Sequence, residues 1–305
     1  MTTARTGRPA GIVCPLVTPL RPDGRLDEVV LRDLLDALVP DLDGVFVLGS
    51  SGELTWLPDD VALEVARVTV DQVDGRVPVY VGVGDTGLRR TIDRAARLGD
   101  AGPDYLVVTA PFYYAVSADA AIVDHYVTVA EAAAAPVVLY NIPQNTHVPL
   151  TPAIVRTLAA HPRIVGLKDS AGDWFAFEQF LGCRSDAFSV LQGREQMAAI
   201  SLWSGADGVI SAMANFAPRL LRALVDAVRD GRSVTEAATL QATISELAAV
   251  FDQGHWLAGL KCTLRTLGWD VGEPSRPIPA YDAVARAVVE DVLGRRGLRR
   301  WLTER

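Results

Sequence analysis

Short apolar runs alternate with longer amphipathic stretches along most of the chain. The runs, bounded by Gly, Pro and Asp, predict strands over residues 11–17, 44–48, 78–82, 104–109, 136–140, 164–168, 188–191 and 208–211. The stretches between them predict helices over 27–39, 58–73, 86–99 and 117–134, then from Thr151-Pro152 to near His161, and over 174–181, 195–203 and 218–229. Pro58 opens its helix at a favourable early position, and Ser117 is a candidate N-cap. From Ser233 onward the pattern is helical, with breaks around Gly254, Gly268 and residues 274–279.

Strand starts fall mostly about 25 to 35 residues apart, the spacing of strand–helix units. Strands that are apolar on both faces and joined by crossover helices imply a parallel sheet. Eight right-handed crossovers close most naturally into an α/β (β/α)8 TIM barrel, expected over residues 1–230. Residues 231–305 have no partner strands and are expected to form a C-terminal helical extension packed on the barrel or serving as an interface. A doubly wound open sheet is the runner-up, but no G-x-G-x-x-G follows the first strand.

Composition narrows the partners. With 305 residues, half of them hydrophobic and 22% charged, there is ample material for a large core. A net charge of −8 with scattered arginines argues against nucleic acid or an anionic membrane surface. A local pocket for a small anion is compatible with that global sign. Cys14, Cys183 and Cys262 lack metal-ligand spacing and cannot all pair, so a reducing cytosol fits best. His125, His147, His161 and His255 form no ligand cluster. The start, Met1 to Pro9, is polar and has no apolar stretch of signal-peptide length, and no run approaches the roughly 18 apolar residues of a membrane span.

One residue type stands out against this background. Of 29 basic residues only two are lysines, Lys168 and Lys261. An amine can lose its proton and attack a carbonyl, whereas a guanidinium effectively cannot. Lys168 ends the apolar run 164–168, so it is delivered at a strand tip, the active-site end of such a barrel. A packed stem with a solvated head is the bland alternative. The other tips change the weighing. Gly49-Ser50-Ser51-Gly52-Glu53 is a tight turn whose N–H groups can converge on an anion. Ala110-Pro111-Phe112-Tyr113-Tyr114 forms an aromatic corner, and Tyr140 precedes a polar, proline-shaped loop running to His147. An imine-forming lysine needs burial, a proton shuttle and a carboxylate cradle, and these tips offer all three at one end.

Gly49-Ser50-Ser51-Gly52-Glu53, Tyr140-Asn141-Ile142-Pro143, Gly166-Leu167-Lys168-Asp169, Gly208-Val209-Ile210-Ser211 and Gly259-Leu260-Lys261 resemble the signature blocks of the dihydrodipicolinate synthase/N-acetylneuraminate lyase family, from about residue 10 to 300. The resemblance implies a barrel whose lysine forms a Schiff base with pyruvate or another 2-oxo acid. On it, Lys168 is that lysine, Tyr140 the catalytic phenol and Ser50 the relaying hydroxyl. Ser51 and Gly52 belong to the carboxylate cradle. Tyr113 aligns with a relay tyrosine supplied by a neighbouring subunit, which implies a homo-oligomer, a dimer or a dimer of dimers (homotetramer). Lys261 reads as structural, fixing the C-terminal helices through an ion pair. The protonated imine is the electron sink, so no metal or cofactor is called for.

Departures from the family pattern bear on the second substrate. True dihydrodipicolinate synthases have an arginine where this chain has Asn145, which removes a bidentate carboxylate partner. N-acetylneuraminate lyases carry an acidic pair two and three residues after the glycine ending strand seven. Here Gly193 is followed by Glu195-Gln196. Asn145-Thr146 and Asp169-Ser170 look more like 4-hydroxy-2-oxoglutarate aldolases and 2-oxo-3-deoxy sugar acid aldolases. His147 is read as shaping its loop rather than touching substrate. Ser170, Gln192, Gly193, Ile210 and Ser211 are expected around the far end of a longer substrate.

The expectation is a cytoplasmic lyase that joins or releases pyruvate and an aldehyde. A sugar acid dehydratase or dihydrodipicolinate synthase using the same imine is one alternative, and a non-catalytic 2-oxo-acid-binding sensor is another.

Overall fold

The computed structural model describes residues 8–305 except Arg232 and Arg296. Residues 1–7, where no leader is expected, lie outside the described residues. In chain order the first half gives β1 (Gly11–Pro15), α1 (Glu28–Leu38), β2 (Gly44–Val47), α2 (Asp59–Val73), β3 (Val79–Gly82), α3 (Leu88–Gly99), β4 (Tyr105–Thr109) and α4 (Asp119–Ala132). Then follow β5 (Val137–Asn141), α5 (Pro143–Thr146), α6 (Pro152–Leu158), β6 (Ile164–Asp169), α7 (Trp174–Leu181), β7 (Ser189–Gln192), α8 (Ala198–Trp203), β8 (Gly208–Ile210) and α9 (Pro218–Arg229). The last part is α10 (Val234–Leu247), α11 (Trp256–Thr266) and α12 (Ala283–Gly294).

The eight strands pair in parallel and in sequence order, and β1 closes on β8 through Gly11–Gly208 and Val13–Ile210. This is a (β/α)8 barrel with a C-terminal helical extension. The period-3.6 pattern explains the outer layer. In α1, Val30, Leu31, Leu34, Leu35 and Leu38 turn one stripe to the sheet, and the Asp27 carboxylate accepts from Val30 N at the start. A second apolar cluster fills the barrel interior, including Val13, Phe46, Tyr80, Tyr105, Val138, Tyr140, Leu191 and Ile210. Tyr80 and Tyr105 stack there with centroids 4.7 Å apart.

Three local readings change. Ser117 does not cap α4, which starts at Asp119 after Ala118 with no side-chain cap, and an acidic residue in the first turn complements the helix dipole instead. The stretch expected to be helical from 195 begins as a tight 3-10 turn, Glu195–Met197, before α8. The loop after Tyr140 contains one helical turn, α5, with Pro143 at its first position and His147 closing it at φ 58°. His147 donates its backbone N–H to Pro143 O at 2.8 Å and faces outward, so it shapes the backbone of this loop.

The extension returns to the barrel mouth. Helix α11 is buried along most of its length, from Leu257 to Leu264. Lys261, 0% exposed, closes an ion pair of 2.6 Å with Glu53, three residues after Ser50. Its Nζ also donates to Glu273 O, while the other Glu53 oxygen accepts from Ser275 N at 2.7 Å. Burial pushes the Lys261 amine down and the Glu53 carboxylate opposes that shift.

Candidate active site

Strand parity decides what faces the barrel interior. Tyr140, Lys168 and Leu191 are register partners across β5, β6 and β7 and point inward. The next layer, Asn141, Asp169 and Gln192, turns toward the surrounding helices. In that outward layer Asn141 donates from Nδ2 to Asp169 at 2.6 Å and accepts from Leu150 N. Burial pushes the Asp169 carboxyl up to about 6, against the hydrogen bonds from Asn141 and the Ala171 N–H. The Asn141–Asp169 bond pins the tips of β5 and β6 together from behind.

On the inner side Lys168 is 4% exposed, with Nζ 4.1 Å from the centre of the Tyr140 ring and 5.0 Å from that of Phe46. The Tyr140 hydroxyl lies 3.3 Å from Ser50 Oγ, a hydrogen bond in which either group can donate. Phe46 meets Tyr140 edge-on, with centroids 6.2 Å apart. The amine therefore sits on an aromatic floor, beside a phenol that is already linked to a hydroxyl. Among the described residues, no carboxylate lies within ion-pair distance of Lys168.

The turn after β2 is held from several sides. Leu48 and Glu53 both take positive φ, 59° and 60°, bending the chain sharply around Ser50 and Ser51. Thr18 donates to Gly52 O at 2.8 Å. A Cβ on Gly52 would come within 2.7 Å of Leu48 N, so the turn closes only with glycine there. Gly193 is under the same constraint, since a Cβ would meet Asp169 O at 2.7 Å as well as the Ser170 hydroxyl.

The mouth above these tips has two lobes that share Ser50, Tyr140, Asn145, His255 and Trp256 along their boundary. One, about 460 Å³, contains Lys168, Ser51, Ser170, Gly193 and Ile210. The other, about 510 Å³, is more aromatic, with Phe46, Trp56 and Phe112. Several expected residues are thus brought together: Lys168, Tyr140, Ser50, Ser51, Asn145, Ser170, Gly193 and Ile210. Others are not. Gln192 is buried in the outward layer, donating to Ser201 Oγ at 2.8 Å and accepting from Arg194 N. Ser211 follows inward-facing Ile210 and is not part of the lobe wall, its hydroxyl accepting from Met213 N and donating to Glu195 Oε2 at 3.5 Å. Gly52 serves the turn rather than the lobe wall. Tyr113, at φ 79° and 77% exposed, projects from the surface and makes no contact with Tyr140 within the chain.

Among the lining residues that carry no expectation from the sequence are Gln144, Arg194, His255 and Trp256. His255 caps α11, its Nδ1 accepting from Leu257 N, and its ring stacks on Trp256. The only hint in the chain is that this pair stands just ahead of Gly259-Leu260-Lys261.

Barrel and site together define a lyase of the class I aldolase type. The Dihydrodipicolinate synthetase family model matches residues 8–295, and the chain belongs to that family. It is 40% identical to the 4-hydroxy-tetrahydrodipicolinate synthase of Xanthomonas axonopodis pv. citri over 239 residues, 78% of either chain. It is 37% identical over 246 residues to YagE of Escherichia coli K12, provisionally named a 2-dehydro-3-deoxy-D-gluconate aldolase, covering 79% of this chain and 81% of that one. The crystal structure of YagE in complex with pyruvate superposes with a TM-score of 0.88 at 32% identity, covering 93% of this chain and 97% of YagE. Among the described residues no helix is long and apolar enough to cross a membrane.

Proposed function

We propose that this chain cleaves and forms the C3–C4 bond of a 4-hydroxy-2-oxo acid, with the 2-oxo acid carried as an imine on Lys168. The amine attacks the C2 carbonyl, and loss of water leaves a protonated imine. Tyr140 takes the proton of the C4 hydroxyl, relayed through Ser50. The C3–C4 electron pair moves into the imine as an enamine, and the aldehyde leaves. Protonation at C3 and hydrolysis then release pyruvate and restore the amine. The Ser50-Ser51 turn offers its N–H groups to the substrate carboxylate. The observation that carries this reading is the buried Lys168 amine 4.1 Å from the Tyr140 ring centre, whose hydroxyl is hydrogen-bonded to Ser50. Pyruvate bound to YagE and the aldolase name of that relative point the same way. Asn145 offers no guanidinium for a second carboxylate at its own position, which favours an aldolase over a dihydrodipicolinate synthase.

Tyr113 completes the relay from a neighbouring copy, so the working form is a homo-oligomer, at least a dimer, and the cytosol is its compartment. The test is borohydride reduction in the presence of pyruvate, followed by mass spectrometry. An adduct on Lys168 is expected. No adduct, or one on Lys261, overturns the assignment.

A further inference from the structure

Resting on that reading of Lys168, we infer that Arg194 binds a carboxylate at the far end of the substrate, so that the preferred substrate is a 4-hydroxy-2-oxo diacid rather than a sugar acid whose far end is uncharged. Arg194 follows Gly193 at the tip of β7, the strand beside Lys168, and lies three residues beyond Leu191, the register partner of Lys168. It lines the same lobe as the amine. Its Nε is committed, donating to Ser170 O at 3.0 Å, and Gln144 Nε2 donates to the same oxygen. That anchor fixes the plane of the guanidinium and leaves its two terminal nitrogens for another acceptor.

The surroundings supply no such acceptor. Many arginines elsewhere are met by acids, as in Arg184 with Asp207, Arg94 with Asp85 and Arg222 with Asp43, and others, such as Arg163, spend their terminal nitrogens on backbone carbonyls. Among the described residues Arg194 closes no ion pair. Three acids stand near it. Asp169 is turned outward and bonded to Asn141, Asp252 is exposed at the rim, and Glu195, whose carboxyl burial pushes up, accepts from Ser211 Oγ and closes no ion pair with Arg194. A half-buried, oriented cation without an acid is a site for an anion brought by the ligand. The 2-oxo acid carboxylate has its own cradle at Ser50-Ser51, so the anion left for Arg194 is the one at the other end of the molecule. The guanidinium that Asn145 lacks on the loop after β5 is supplied to the same lobe from the loop after β7.

The experiment compares kcat/KM for pyruvate release from 4-hydroxy-2-oxoglutarate and from 2-oxo-3-deoxygluconate in the wild type, Arg194→Gln and Arg194→Lys. The wild type is expected to favour the diacid. Arg194→Gln is expected to lower kcat/KM for the diacid by about 30- to 100-fold, mainly through KM, and to lower it at least about tenfold less for 2-oxo-3-deoxygluconate, whose far end carries no charge. Arg194→Lys should recover part of the loss. An equal fall on both substrates would mean that Arg194 only clamps the Ser170 loop and would overturn the inference. So would a wild type that prefers the monocarboxylic sugar acid. Borohydride trapping of pyruvate is run alongside. An adduct on Lys168 in both wild type and Arg194→Gln shows that a failed diacid preference is a failure of this inference alone, whereas no adduct in the wild type removes the imine reading on which it rests.

Discussion

Tyr140 and Lys168 are register partners on adjacent strands, and the lysine amine hangs over the face of the tyrosine ring rather than beside its hydroxyl. The hydroxyl is thereby free for Ser50 and for the proton of a substrate hydroxyl. Imine formation and proton transfer consequently separate. Tyr140→Phe keeps the aromatic floor under the amine, so the borohydride adduct should still form while steady-state turnover falls about a hundredfold or more. Normal turnover in this variant would remove the phenol from the mechanism.

The Lys261–Glu53 pair ties the extension to the turn that carries Ser50 and Ser51. Lys261→Met leaves the Glu53 carboxylate buried without its cation, and breaking a buried pair in this way costs about 3–5 kcal/mol. Denaturant midpoints should show that loss. Adding Glu53→Gln should recover much of it, since the amide oxygen can still accept from Ser275 N. If Lys261→Met were as stable as the wild type, the pair would not be what holds α11 in place.

Two buried groups bend the pH dependence of stability in opposite directions. Burial holds the Asp169 carboxyl at about 6 against an ordinary 3.8, with Asn141 and Ala171 donating to it and Asp173 and Arg194 acting at longer range. Between those values the folded chain binds more protons than the unfolded one, so this group's contribution falls as pH rises from about 4 to about 6, by at most about 3 kcal/mol. Burial pushes His125 down from 6.5 to about 4, so its contribution falls as pH drops through the same range. In the wild type the two largely cancel. Asp169→Asn should therefore gain stability relative to the wild type as pH rises, levelling off above about pH 6. His125→Phe should gain on the acid side. Thermal midpoints measured from pH 4 to 8 would show both, and a pH-independent difference in either variant contradicts the assignment.

Tyr113 stands 77% exposed on a loop whose backbone holds it at positive φ. If a neighbouring copy receives it, Tyr113→Phe and Lys168→Ala chains should complement each other. Each mixed dimer then holds one site with both the lysine of one chain and the tyrosine of the other. Subunit exchange of two nearly inactive variants should restore about a quarter of wild-type activity. No recovery on mixing would place the relay within one chain.

Much of this molecule is legible from the pattern of its residues. Helix α7 and helix α9 begin and end where the apolar period does, because a stripe that must face the sheet sets both ends. The strands β5 and β6 run one residue further than expected, to Asn141 and Asp169, because the side-chain bond between those two prolongs the pairing. The positions of Gln192 and Ser211 outside the lobe wall follow from parity. Gln192 is a register partner of Asp169 and shares its outward face, and Ser211 stands one step beyond inward-facing Ile210. Counting outward from Lys168 would have placed both. Nothing local could place His255 and Trp256, since a helix returning from 87 residues further along the chain to line Lys168's lobe is a tertiary event. Arg194 gives no signal in the sequence, because a lone arginine in an arginine-rich chain becomes informative only once its ion-pair partners can be counted.

With only two lysines, both buried in the fold, a protease that cuts solely after lysine meets no exposed lysine in the native molecule. Once denatured, the chain falls into three pieces, 1–168, 169–261 and 262–305. Reduction of an imine turns the trapped amine into a substituted one that such a protease does not accept. If the trapped residue is Lys168, the first two pieces remain joined; if it is Lys261, the last two do. A single digestion then reports which amine captured the carbonyl, from fragment sizes alone.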